Sequence, residues 1–467
     1  MSLNEYRYFD PDPAVRDIAY ELYLSVKDLP IISPHGHVDP RIFADNVPFP
    51  DPSELIIIPD HYIFRMLFSQ GITLESLGIT ALDGSTVETD KKKIWQIFAD
   101  NYYLFTGTPT GAWLSHIFSG IFNIHETLNS DNAIKIYDEM MEKLQSPEFL
   151  PRNLFEQFNI EVLTTTDGAS DSLEHHKAIM ESGWKGRVIP CFRPDKVVNI
   201  LGDDWKQEID LLSASSGIEI NSHKSFIHAI EIRREYFAEM GAVSTDQGIL
   251  IPYAHALAEE DAEEIFQKAL RGKADVEDNY LFTGNMLMEM ARMSIEDGLV
   301  MQIHPGSFRN HNQFIYDKFG LDKGADIPVE MEFTYNLHEL LNKYGNNYKL
   351  KVILFTLDES TYSRELAPLA GHYPVLKLGP AWWFHDSIEG MTRYRQMVTE
   401  TAGFYNTVGF NDDTRAFLSI PARHDLSRRV DSNFLAGMVG KHIIDMEEAL
   451  KLSYELANGL VKKGYGL

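Results

Sequence analysis

The sequence predicts an α/β protein, a (β/α)8 barrel of TIM type with a mostly helical insertion after its first strand. Three observations predict it. Eight short apolar runs recur along the chain, each followed by polar or glycine residues and then by a helical pattern. The helix candidates between them have recognisable ends. The first run is separated from the second by roughly 125 residues, far more than a βα connection needs.

In chain order the runs are LPIISPH (29–35), IEVLTTTD (160–167), GRVIPCFRPD (186–195), GAVSTD (241–246), GLVMQIH (298–304), LKVILFTLD (350–358), YPVLKLG (373–379) and NTVGFND (406–412). Between the fourth and sixth lie EEDAEEIFQKALRG, where Gly272 suits a left-handed helix end, and FTYNLHELLNKYG, closed by Gly345. The expected organisation is an N-terminal arm with the first strand (1–39), a helical insertion or lid (40–155), and the rest of the barrel (156–467). An open doubly wound sheet is the alternative, but no G-x-G-x-x-G turn follows the first run.

Composition narrows the partners. The chain has 42 Lys and Arg against 69 Asp and Glu, a formal net charge of −27, and such a field repels nucleic-acid phosphates and anionic membrane surfaces. An anionic substrate must therefore be held by a few placed arginines inside a cleft. Cys191 is the single cysteine, which precludes an intramolecular disulfide. The first thirty residues have no apolar signal core, and no later stretch approaches a membrane span, so a cytoplasmic protein is expected.

The chemistry concentrates at run ends, where a barrel places its working groups. His35 and His37 leave the first run at i, i+2, the strand spacing that turns two imidazoles toward one metal ion. In a closed barrel the eighth strand lies beside the first, so Asp412 or Asp413 in NDDTR supplies a carboxylate; a turn or helix-cap acid is the plain alternative for Asp413. Arg415 follows two residues later, within expected reach of that acid, to keep it ionised or to bind substrate oxygen. Arg193 in FRPD and Arg309 after the fifth run are two more inward guanidiniums suited to a carboxylate substrate. His304 ends the fifth run and is either a site residue or a satisfied core histidine. Asp60, His61 and Tyr62 fall in the insertion, where they can close over the mouth. Trp382, Trp383 and Phe384 make a core element or a wall against sugar faces.

Taken together, PHGHVDP, DHYIFRML, FRPDK, IHPGSFRN, LGPAWWFHDSIEGM and DDTRAFLSIPARHDLSRR resemble the uronate isomerase (glucuronate isomerase) family of the amidohydrolase superfamily, from about residue 28 to the C-terminus. The resemblance implies a (β/α)8 barrel, one divalent metal, commonly zinc, and interconversion of D-glucuronate with D-fructuronate or D-galacturonate with D-tagaturonate. By position it implies His35, His37 and Asp413 as metal ligands, with His61, Tyr62, Arg193, Trp382 and Arg415 around the substrate. One departure stands out: Ser244-Thr245-Asp246-Gln247-Gly248 has Gln247 where many members carry histidine.

An aldose–ketose isomerase needs a base at C2, a polariser for the oxygens and a clamp for the C6 carboxylate. Asp413 is assigned the base, helped by Tyr62 or His61; Arg415 holds charge on the enediol and Arg193 leads as the carboxylate clamp, with Trp382, Arg309 and His304 lining the substrate. The rival readings are a metal-dependent hydrolase and a non-catalytic sugar-acid binder, the latter motivated by Gln247 alone. A homo-oligomer is expected.

Overall fold

The structure is a computed structural model that describes residues 3–467. Its parallel strands follow the predicted runs in order. They are β1 (Ile31–Ser33), β2 (Ile160–Thr164), β3 (Asp167–Gly168), β4 (Val188–Ile189), β5 (Phe192–Arg193), β6 (Ser244–Ile249) and β7 (Val300–Pro305). After a short hairpin of β8 (Ser307–Phe308) and β9 (Ile327–Pro328) come β10 (Val352–Leu354) and β11 (Leu376–Leu378). One ladder runs β1-β2-β4 and a second β3-β5-β6-β7-β10-β11. They are successive parts of one sheet, because β2 and β3 belong to the second run and β4 and β5 to the third. The third run breaks around Pro190, which has no N–H for the ladder, yet Leu163, Thr165, Asp167 and Ala169 still donate across it to Arg187, Ile189, Cys191 and Arg193.

The eighth run differs from expectation. It forms no strand, only a parallel bridge between Leu378 and Thr407. Gly409 turns it at φ +74°, where a Cβ would lie 2.5 Å from Val461. No ladder joins it to β1 among the described residues. One backbone bond, His37 N–H to Thr414 O at 2.9 Å, spans that seam. Seven strand positions in parallel order, with helices between them, make an α/β architecture consistent with a TIM-type barrel.

Between β1 and β2 the chain forms helices and turns without a strand, including His61–Phe68, Lys91–Asp100, Pro109–His116 and Ala133–Leu144. Their apolar faces bury Phe64, Trp95, Phe98 and Phe118 in a cluster that also takes in Ile31 and Leu163 of the sheet. Asp60 caps the first of these helices through Tyr62 N–H, which fixes His61 and Tyr62 at the edge of the strand ends. The β8–β9 hairpin carries the helix Gln313–Phe319, which docks on the insertion where Leu82 N–H donates to Lys318 O at 2.7 Å. The helix Glu259–Leu270 ends as expected, with Gly272 at φ +67°. The other candidate is shorter than read: it spans His338–Tyr344, and Gly345 at its end is right-handed, φ −62°.

Candidate active site

A cavity of about 410 Å³ lies at the C-terminal ends of the strands. It collects His35, His37, His61, Tyr62, Arg193, His304, Arg309, Trp382, Asp413 and Arg415, with Asp60 and Trp383, of the residues singled out from sequence, but not Asp412 or Phe384.

Asp413 is its centre. The residue sits at φ +40°, a left-handed conformation that costs a side-chain-bearing residue of order 1 kcal/mol or more and concentrates at working sites. His37 Nε2 lies 3.0 Å and His35 Nε2 3.4 Å from its Oδ1, and Trp382 Nε1–H donates to its Oδ2. Burial alone would raise this carboxyl, but His35 and then His37 hold it well below the usual carboxylate range. Arg415 pairs elsewhere. Its nearest carboxylate is Asp322, at 3.9 Å, which corrects the expected Arg415–Asp413 pairing: the left-handed turn at Asp413 separates two residues that sequence spacing had put together. The second acid of the run also points elsewhere, since Asp412 Oδ2 takes a hydrogen bond with His424 Nε2 at 3.0 Å.

His304 lines the cavity and has a polar partner. Its Nδ1 meets Asp246 Oδ1 at 2.6 Å and its ring stacks on Phe355 and His35. Its Nε2 is buried without a partner among the described residues, as is Asp413 Oδ1 by hydrogen-bond geometry. One donor atom each from His35, His304 and Asp413 lies within 4.8 Å of the others. Two buried, unpartnered ligand atoms, with histidines converging on a carboxylate oxygen outside hydrogen-bond alignment, fit a divalent cation, and the Asp246–His304 pair is the second partner such a histidine requires.

Arg193 sits between two acids. Its Nε–H donates to Asp195 Oδ2 at 2.6 Å and its Nη1 lies 3.2 Å from Asp246 Oδ2. Arg309 pairs with Asp326 at 2.8 Å and lies over the Trp383 ring, 5.1 Å from its centroid. His61 is pushed down to about 3 by burial and then by Arg415, so it stands as a neutral imidazole. Burial, then Asp386, hold the Tyr62 hydroxyl well above its ordinary value, and it reaches Trp383 O at 3.5 Å.

Gln247 does not enter the cavity. Asp246 faces it, and strand alternation turns the next side chain to the helices, where Gln247 donates to Thr245 Oγ1 at 2.8 Å. Sequence reasoning missed Asp246, Asp195 and Asp322. The first ends the fourth run, the rule that found His304 and Asp413; Asp322 lies on the excursion between β8 and β9, with no strand end to mark it.

Comparisons with known proteins give the family. A uronate isomerase of Nostoc punctiforme is 53% identical over 99% of this chain and 98% of its own length. The crystal structure of glucuronate isomerase from Caulobacter crescentus superposes with a TM-score of 0.98 at 52% identity, covering all of this chain and 97% of that one. The uronate isomerase structure from Thermotoga maritima gives 0.93 at 28% identity, with both chains fully covered. The Glucuronate isomerase family model matches residues 14–460, and with relatives this similar over their whole length the chain belongs to the glucuronate isomerase family.

Proposed function

We propose that this chain, a hexuronate isomerase by family, interconverts D-glucuronate with D-fructuronate or D-galacturonate with D-tagaturonate by proton transfer through a cis-enediol. The observation that carries the proposal is the pairing, in one cavity, of an ionised carboxylate at Asp413 with the guanidiniums of Arg193, Arg309 and Arg415.

In this reading Arg193 receives the C6 carboxylate of the open-chain sugar, since a planar fork matches a carboxylate in a way a point charge does not. Arg309 and His304 border the bound chain, and Trp382 holds the Asp413 carboxylate in place through its indole N–H. Asp413 takes the proton from C2 and returns it to C1. Arg415 faces the charge that develops on the enediol oxygens. Tyr62, kept as a phenol, is the hydroxyl available for proton exchange at those oxygens, and neutral His61 stands beside it. A divalent cation, zinc in our reading, would be held by His35, His37 and Asp413 with His304 in reach, and when bound supplies Lewis acidity toward substrate oxygens.

Residues 40–155 serve as the lid unit and 1–39 and 156–467 as the barrel, a division supported by the strand-free course of the insertion. No helix among the described residues is long and apolar enough to cross a membrane. We place the protein in the cytoplasm, consistent with its single cysteine, and as a homo-oligomer, for which exposed Val276, Tyr335 and Tyr348 offer apolar contact surface. Incubating the purified protein with each aldohexuronate, with and without a chelator, and following ketose formation tests the proposal; no ketose from either sugar would refute it.

A further inference from the structure

We infer that Asp195 and Gly248 are positioning residues for the Arg193 guanidinium, one holding it by charge and the other by leaving it room; the inference rests on the reading of Arg193 as carboxylate clamp.

The β5–β6 ladder contains one residue pair, Phe192 with Thr245, and ends before the cavity. The Asp195 carboxylate continues the connection beyond that end. Its two oxygens accept Gly248 N–H at 3.0 and 3.2 Å, while Oδ2 also accepts Arg193 Nε–H at 2.6 Å. An acid at the start of a helical turn ordinarily bonds its own backbone, two or three residues on. Asp195 reaches across to the neighbouring strand instead. The next side chain, Lys196, turns away to Glu208 at 2.9 Å, so the cation facing Asp195 is Arg193. Asp246 meets the opposite side of the guanidinium through Nη1. A long side chain gripped at Nε and at Nη1 has little torsional freedom left, and Arg193 so held lines the cavity.

Gly248 carries the second half of the inference. Its φ lies outside the left-handed region, so its backbone does not demand glycine. The space does. A Cβ at 248 would stand 2.3 Å from Arg193 Nη2, 2.7 Å from Asp195 Oδ2 and 3.3 Å from Arg193 Cζ. Any side chain there must displace the guanidinium from its carboxylate, the carboxylate from the strand, or both.

If both residues act through Arg193, their effects are coupled to it. The experiment is a pair of double-mutant cycles, Asp195→Asn with Arg193→Ala and Gly248→Ala with Arg193→Ala. KM and kcat are measured with aldohexuronate, and Kd by calorimetry for D-glucarate, a dicarboxylate without the carbonyl group that isomerisation requires. Melting temperature checks folding. Each single variant should raise KM and the glucarate Kd by tenfold or more with kcat within about threefold, the pattern of lost ground-state binding. Added to Arg193→Ala, either should change both constants by less than twofold. Asp195→Glu, which keeps the charge, should recover part of the loss. Additive effects in the Arg193→Ala background, or a fall in kcat with KM unchanged, would overturn the inference. If Gly248→Ala does not fold, the Asp195 cycle decides alone. Absence of turnover in the wild-type protein would count against the isomerase reading, and the glucarate arm would still test the positioning.

Discussion

Asp167 has no catalytic role in this account, which makes it a clean test of the electrostatics. Its carboxylate is buried on β3, accepts a hydrogen bond from Thr165 Oγ1 at 2.7 Å, and has as its nearest basic group His176, 3.8 Å away and itself pushed down to about 4. Burial, opposed by the Thr165 bond, raises the carboxyl to about 7 from 3.8. The folded chain therefore binds this proton more tightly than the unfolded chain. Stability contributed by the group is complete in acid and is lost as pH rises from about 4 to about 7. Asp167→Asn keeps an acceptor for Thr165 and cannot ionise, so it escapes that loss. With a shift of about 3 units at 1.36 kcal/mol each, the full difference is near 4 kcal/mol, of which about 2 kcal/mol develops between pH 5.5 and 8.5. At about 2.1 cal/mol/K per residue the chain unfolds with an entropy near 1 kcal/mol/K, so the melting temperature of the variant should gain about 2 °C on wild type across that interval. Scanning calorimetry of both proteins at the two pH values measures it. A constant gap between them, or one that narrows toward pH 8.5, would refute the assignment of a protonated, buried Asp167.

Other outcomes follow from the same contacts. His35→Ala and Asp413→Asn should each lose bound metal on purification, whereas Trp382→Phe, which removes the N–H to Asp413 but keeps an aromatic ring, should retain it with lowered turnover; elemental analysis separates them. Arg193→Lys should keep the fold and raise KM for hexuronate tenfold or more, because one ammonium cannot meet Asp195 and a carboxylate with the same fork, as steady-state kinetics would show. Arg395 and Asp431 form a buried bidentate pair at 2.6 and 2.9 Å, so Asp431→Asn should cost about 3 kcal/mol by urea unfolding, and joint replacement by Met and Leu should cost less.

Much of this was legible in the sequence. Apolar runs report buried parallel strands well, because such strands lie between helices and need apolar residues on both faces. Seven of the eight runs accordingly became strands, and the candidate side chains chosen from run ends reached the cavity, Asp412 excepted. The eighth run has the same apolar look, but Gly409 and the turn at Asp413 depart from extended backbone, so hydrophobicity predicted a strand where dihedral angles gave a loop. That turn is also why Arg415 faces Asp322 rather than Asp413. The helix at 338 begins late because Glu332 accepts the backbone N–H groups of Tyr335 and Asn336, fixing a turn before it. Asp195 in FRPDK carries no signal of its role in the sequence, since its partner Gly248 lies on the next strand and no sequence spacing links them. Gln247 shows the reverse: it was conspicuous as a departure, and strand alternation carries it out of the cavity.

The central claim is that Asp413 moves a proton between C2 and C1, and isomerisation of D-glucuronate in D2O tests it most directly. A carboxylate that exchanges with solvent during the enediol's lifetime should place deuterium at C1 of D-fructuronate, read by proton NMR, with partial retention where the closed site slows exchange. Complete retention of the C2 hydrogen at C1 under every condition would contradict the account and indicate direct hydride transfer.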